Sequence, residues 1–153
     1  MEEGYYVPNI EEFHVGFEYE YLGNKSTGVT GWDKRVAFEG KGSFADNYMM
    51  QIFNALKENK IRVKYLCKED IESIVHKNTK DFHTIFKLRE QYTNELCFQT
   101  YWIEEGDWLD EEYIYWDTKY NTFKITHKSK ALFSGTIKNK SELKKLLEQL
   151  NID

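Results

Sequence analysis

The sequence predicts an α+β fold built on a mostly antiparallel sheet of about five to seven strands, with one helix near residues 43–59 and a C-terminal helix near 140–151. Three observations carry this expectation. Aromatic residues make up 16% of the chain, and Tyr, Phe and Trp suit a pleated, half-buried surface. Several segments alternate apolar and polar residues with the period of 2 that a strand requires. Two others repeat their apolar residues at the spacing of a helix face. At 153 residues the chain is expected to form one compact domain over its whole length, since a single core serves about 100 to 200 residues.

In FHVGFEYEY, Phe13, Val15, Phe17, Tyr19 and Tyr21 alternate with His14, Gly16, Glu18 and Glu20. A strand with Glu18 and Glu20 on its outer face is expected there. The Gly, Ser and Thr of Gly23 to Gly31 predict a loop or hairpin, with a second strand near Arg35 to Glu39. Ser43 is a good N-cap for a helix whose Phe44, Tyr48, Ile52 and Leu56 recur every four residues, broadened by Met49 and Phe53 and ending near Asn59. Ile61, Val63 and Tyr65 then alternate with Arg62 and Lys64, and KEDIESI offers a short helical turn. Strands from Phe82 and from Leu96 flank the polar EQYTNE as a hairpin. A turn around Gly106 follows, then the pair Tyr113 to Trp116 and Thr122 to Thr126 joined by DTKYN, then a strand from Leu132 to Ile137. Asn139 and Glu142 have the spacing of a capping box ahead of the stripe Leu143, Leu146, Leu147 and Leu150.

Apolar residues recur throughout, so the composition is not that of a disordered chain. The longest apolar runs are only a few residues, against the roughly 18 to 20 needed to cross a bilayer, and MEEGYYVPNIEE is acidic where a signal peptide is basic. A cytoplasmic protein with no membrane association is expected. Cys67 and Cys97 are too sparse for a disulfide framework and read as free thiols. The net charge of −5 conceals a partition: residues 1–24 and 101–117 hold 6 and 7 acids and no Lys or Arg, while Lys119 to Lys145 holds eight lysines against Glu142 alone. Such a chain presents signed patches unless neighbouring strands pair them.

Three segments, VPNIEEFHVGFEYEYL at 7–22, IRVKYLCKEDIESI at 61–74 and ALFSGTIKNKSELKKLLEQLNI at 131–152, together resemble a family of small uncharacterised proteins encoded by tailed bacteriophages and prophages of gut Bacteroidetes. The resemblance covers both ends and the middle of the chain and brings no catalytic or binding residues. It implies a small accessory protein that binds and modulates a host protein, such as a defence factor. Where the family carries an acidic residue after the RVKYL strand this chain has Cys67, which argues against a required carboxylate there.

The stretch YWIEEGDWLDEEYIYWD, Tyr101 to Asp117, is the strongest functional candidate. Its plainest reading is a hairpin with one aromatic face on the core and its acids in water, partly paired with the lysines after residue 118. The function-bearing reading is a partner surface made by Glu104, Glu105, Asp107, Trp108, Asp110, Glu111 and Glu112, in which the acids steer a host protein and the aromatic anchors it. A hard-cation site is a weaker third reading, because EEGDWLDEE has the oxygens but not the ligand order of an EF-hand loop. No metal, cofactor or catalytic set is expected.

Other motifs are weaker. GNKST at 23–27 lacks the glycines of a phosphate loop. Glu39 and Lys41, with Asp33 or Glu20 upstream, form the Glu-x-Lys element of metal-dependent nucleases, a tripeptide common by chance. Cys67, His76, His83 and Cys97 have no zinc-finger spacing. The lysines of 119–145 with Tyr120 and Phe123 point to a small anionic ligand such as a nucleotide as the alternative function. The absence of Arg among them argues against direct nucleic-acid binding.

Overall fold

A computed structural model describes residues 3–23, 31–38, 45–77 and 83–150. These form an α+β fold of two antiparallel sheets, of four and six strands, with three α-helices including a C-terminal one. The chain divides into two compact units, Met1–Tyr65 and Leu66–Asp153, each around its own hydrophobic cluster.

The first unit contains β1 (Tyr5–Tyr6), a 3-10 turn (Ile10–Glu12), β2 (Glu18–Leu22), β3 (Trp32–Val36), α1 (Ala45–Lys57) and β4 (Ile61–Lys64), with the sheet ordered β1-β4-β2-β3. Strand β2 starts later than its alternation predicts, because Gly16 at φ 88° and the bond from Phe17 N–H to His14 O at 3.0 Å put the preceding residues into a turn. The alternating aromatics still bury: Phe13, Phe17 and Tyr19 pack with Ile52 and Ala55 of α1 and with Ile61 and Val63 of β4. Tyr19 and Tyr48 share a hydroxyl hydrogen bond of 2.6 Å that ties β2 to α1. Glu39, Lys41, Ser43 and Phe44, and the GNKST segment beyond Gly23, lie outside the described residues.

The opposite face of this sheet carries an ion pair. Glu20 lies opposite Arg62 on β4, and the Arg62 guanidinium bonds its carboxylate at 3.0 Å. The same guanidinium sits 3.9 Å from the centroid of the Tyr5 ring and 4.2 Å from that of Trp32. Glu18 and Glu20 thus lie off the core face as the alternation predicts, and on that face Glu20 is held by a guanidinium that also stacks on two aromatic rings.

The second unit contains α2 (Lys68–Ser73), β5 (His76–Lys77), β6 (His83–Gln91), β7 (Glu95–Trp102), β8 (Asp107–Asp117), β9 (Thr122–His127), β10 (Lys130–Gly135) and α3 (Lys140–Gln149). Its strands follow one another in the antiparallel order β10-β9-β8-β7-β6-β5. Leu88, Phe98, Ile114, Ile125 and Phe133 form one row across five of them. With Ile71 of α2 and Leu143 and Leu147 of α3, this row belongs to the unit's hydrophobic cluster. That cluster defines an inner sheet face, and period-2 alternation sends Cys97, Gln99, Tyr101, Tyr113 and Tyr115 to the outer one. Helix α3 starts as its capping pattern predicts: Asn139 Oδ1 accepts from Glu142 N–H at 2.8 Å, while the Glu142 carboxylate accepts from Lys138 N–H at 2.6 Å.

Candidate functional site

The acidic stretch is the β7–β8 hairpin. Ile103 to Gly106 make its loop, closed by the bond from Gly106 N–H to Trp102 O at 2.8 Å. Gly106 has φ 66°, a conformation that side-chain-bearing residues rarely adopt. Beyond the loop the hairpin is irregular. Tyr101 pairs with Trp108 and Gln99 with Tyr113, so residues 109–112 of β8 stand opposite Thr100 alone. Two buried side chains staple this wide bulge: Gln99 Nε2 donates to Leu109 O at 3.0 Å, and Thr100 Oγ1 donates to the same carbonyl at 3.1 Å. A bulge re-aims the side chains it carries.

Asp110 points to solvent and accepts a hydrogen bond from the Tyr113 hydroxyl, which pushes that phenol up to about 12. Glu111 is half-buried, and its backbone carbonyl accepts from Lys128 N–H at 2.8 Å. Glu112 turns to the inner face, where His127 Nδ1 lies 2.9 Å from its carboxylate. Burial raises the Glu112 carboxyl above the usual range, and the His127 bond opposes that rise. In the loop, Glu104 meets His83 Nδ1 at 2.5 Å and accepts from the His83 backbone N–H at 3.2 Å, and the side-chain bond holds its carboxyl low. Glu105 and Asp107 are exposed, and Asp107 accepts from Trp108 N–H at 2.8 Å. The structure thus brings Glu105, Asp107, Asp110 and Glu111 to the rim of the hairpin and sends Glu112 to its other face.

Trp108 lies half-buried on the outer face, edge-on to Tyr101 with centroids 5.2 Å apart. The guanidinium of Arg89 sits 4.6 Å from its centroid, and Lys87 Nζ is 4.3 Å from the Tyr101 centroid. Tyr113 and Tyr115 stack beside each other at 5.9 Å. Arg89 and Lys87 come from β6, and sequence reasoning missed them. The available signal was the break in alternation at LDEE, which marks the bulge that carries Trp108 back beside Tyr101.

The neighbouring lysines do not neutralise the stretch: among the described residues no ion pair joins its acids to Lys119–Lys145, and histidines hold two of them instead. Phe123 is a core residue at 2% exposure and is not offered for stacking, whereas Tyr120 is exposed. An open depression of about 330 Å³ on the outer face is lined by Glu95, Tyr115, Asp117, Thr122, Lys124 and Ser134, with part of Phe123 at its floor. Two carboxylates against one lysine give an anion little to bind.

Among the described residues no group of three or more His, Cys, Asp and Glu is placed to hold a metal ion. Both thiols are free: Cys67 precedes α2 and donates to Asp70 at 3.1 Å, and burial pushes the Cys97 thiol up to about 11. Asp33 is exposed on β3 beside Arg35. No described helix is long and apolar enough to cross a membrane. The chain matches no family model, no curated protein and no solved structure.

Proposed function

We propose that the chain is a non-enzymatic binding protein that docks on a host protein through the outer face of the β7–β8 hairpin. On the resemblance of its end and middle segments to a phage family, it acts in the cytoplasm of an infected bacterium and modulates a host factor, a defence factor being the leading class. The observation that carries the reading is Trp108: a half-buried indole held between Tyr101 and Arg89, at the edge of a bulge that displays Asp110 and Glu111. Trp, Tyr and Arg are the side chains whose truncation costs most at protein interfaces. An indole already fixed by its neighbours loses little entropy on docking. The rim acids supply steering toward a basic surface and govern the association rate more than the final affinity.

The test is a tagged pull-down from natural-host lysate comparing the intact protein, Trp108→Ala and Asp110→Asn/Glu111→Gln. Glu112 is left intact because it is paired with His127. Anchor and steering roles predict a defined host protein retained by the intact chain and lost with Trp108→Ala. Association of the purified pair should slow in the double variant, and more so at low salt. Equal retention by all three forms, with thermal stability unchanged, removes the hairpin from the interface.

A further inference from the structure

Charges of opposite sign flank Trp108 on the outer face of the second unit's sheet, and neither sign has a counterion among the described residues. Lys87 and Arg89 of β6 are exposed and lie over the Tyr101 and Trp108 rings, at 4.3 Å and 4.6 Å from the centroids. No carboxylate pairs with either cation. Glu90, which follows Arg89, is engaged by the Tyr92 hydroxyl at 2.8 Å. Arg89 is the extra residue of a bulge, since Leu88 pairs with Phe98 and Glu90 with Cys97. On the other side, Asp110 of β8 is exposed and has no cationic partner. Its bond from the Tyr113 hydroxyl ties it to the outer face.

Strand order makes this patch complementary to itself. Strand β7 runs between β6 and β8, so the cations lie on one side of a line along β7 and the acid on the other. The Trp108 indole bridges that line, rooted on β8 opposite Tyr101 and met by Arg89 from β6. A two-fold axis along the line lays β6 of one copy over β8 of the other. Lys87 and Arg89 of each copy then face Asp110 and Tyr113 of its mate, and the contact occurs twice. Helices α2 and α3 pack on the inner face and leave this geometry open to a second sheet.

We propose that the outer face of this sheet is the contact surface of a homodimer, with Tyr101 and Trp108 at the two-fold axis. An isologous interface requires one patch that complements itself, and both halves of such a patch are present on a single chain. Aromatic residues and Arg are the side chains enriched at the centre of interfaces. The inference goes beyond the host-docking reading and does not rest on it. Both occupants need the same face, so a host protein docking there has to displace one copy.

The experiment is sedimentation velocity on the full chain over a range of concentrations, at low and high salt. A dimer that forms with rising concentration and weakens with salt is expected. Lys87→Glu/Arg89→Glu and Asp110→Lys should each raise the dimer Kd about tenfold or more, because like charges then face each other twice. An equimolar mixture of the two variants should recover the dimer, since each copy carries the sign that the other's substitution requires. Thermal melts check that both variants fold. A measurement on the intact chain needs no variant: isotope-filtered NOEs in a half-labelled sample should join Arg89 of one copy to Tyr113 of the other. A chain that stays monomeric at every concentration in low salt overturns the proposal. So does a dimer indifferent to both variants, a mixture that associates no better than its components, or a dimer whose intermolecular NOEs lie elsewhere.

Discussion

The bulge in β8 depends on one carbonyl, and that makes its energetics non-additive. Leu109 O receives Gln99 Nε2 at 3.0 Å and Thr100 Oγ1 at 3.1 Å, from side chains that are 7% and 1% exposed. Thr100→Val keeps the shape and removes one donor, at a cost of about 0.5–1.5 kcal/mol. Gln99→Leu removes the other at a similar cost, since the carbonyl keeps one partner in either case. The double variant leaves the carbonyl with neither donor and adds the penalty of an orphaned acceptor, about 1–3 kcal/mol. The double-mutant cycle should therefore show a coupling of at least about 1 kcal/mol beyond the sum of the single effects. Urea unfolding followed by tryptophan fluorescence measures all four corners, and each kcal/mol should move Tm by about 2–4 °C in a chain of this length. Additivity within about 0.3 kcal/mol would show that water replaces the side-chain donors, and would refute the claim that Gln99 and Thr100 hold the bulge.

Arg62→Ala should destabilise the first unit by roughly 3–5 kcal/mol, because it leaves the largely buried Glu20 carboxylate without its guanidinium and the Tyr5 and Trp32 rings without the group they stack on. Arg62→Lys should recover only part of that loss in denaturant titrations, since an ammonium cannot present a flat face to both rings. The two carboxylates bonded to histidines should give opposite pH signatures. The Glu104 carboxyl is held low by His83, so its contribution is full above the ordinary carboxylate range and lost as pH falls through the lowered value; Glu104→Gln should flatten that acid limb. Burial raises the Glu112 carboxyl, so the folded state holds that proton more tightly than the unfolded state. Stability then declines as pH rises from the ordinary range through the raised value, and Glu112→Gln should remove that decline in urea midpoints measured from pH 4 to 7. A thiol reagent at pH 8 should label the native chain at Cys67 and reach Cys97 only on unfolding, because Cys97 is 5% exposed and its thiol is pushed up to about 11.

The sequence made most elements of the second unit legible. Its strands alternate outside their bulges, their turns are short and polar, and the Asn139 cap precedes an unambiguous leucine stripe. Strand limits were legible only where alternation and geometry coincide. Around Phe13 to Phe17 the aromatic period persists through a turn, because a turn closed by Phe17 N–H on His14 O, with Gly16 left-handed, buries Phe13 and Phe17 as a strand would. The division of strands between two sheets left no local signature, since pairing partners are chosen over long range.

The acidic hairpin shows why charge counting along a sequence misleads at a site. Its acids and the following lysines look like natural partners because they are adjacent in sequence and lie on paired strands. Register decides otherwise: Glu112 falls opposite His127, while Lys124 falls opposite Tyr115. The bulge adds three residues to β8 relative to β7, so the acids at 110 and 111 have no partner residue on β7, while Glu111 keeps only a backbone bond to Lys128 on the other side. The same irregularity returns Trp108 to the sheet beside Tyr101, within reach of Arg89. One backbone irregularity thus takes the rim acids out of register with β7 and sets an indole beside cations. Strengthening or removing that bulge should change the electrostatics and the anchor together, whereas a surface assembled from independent residues would let them vary separately.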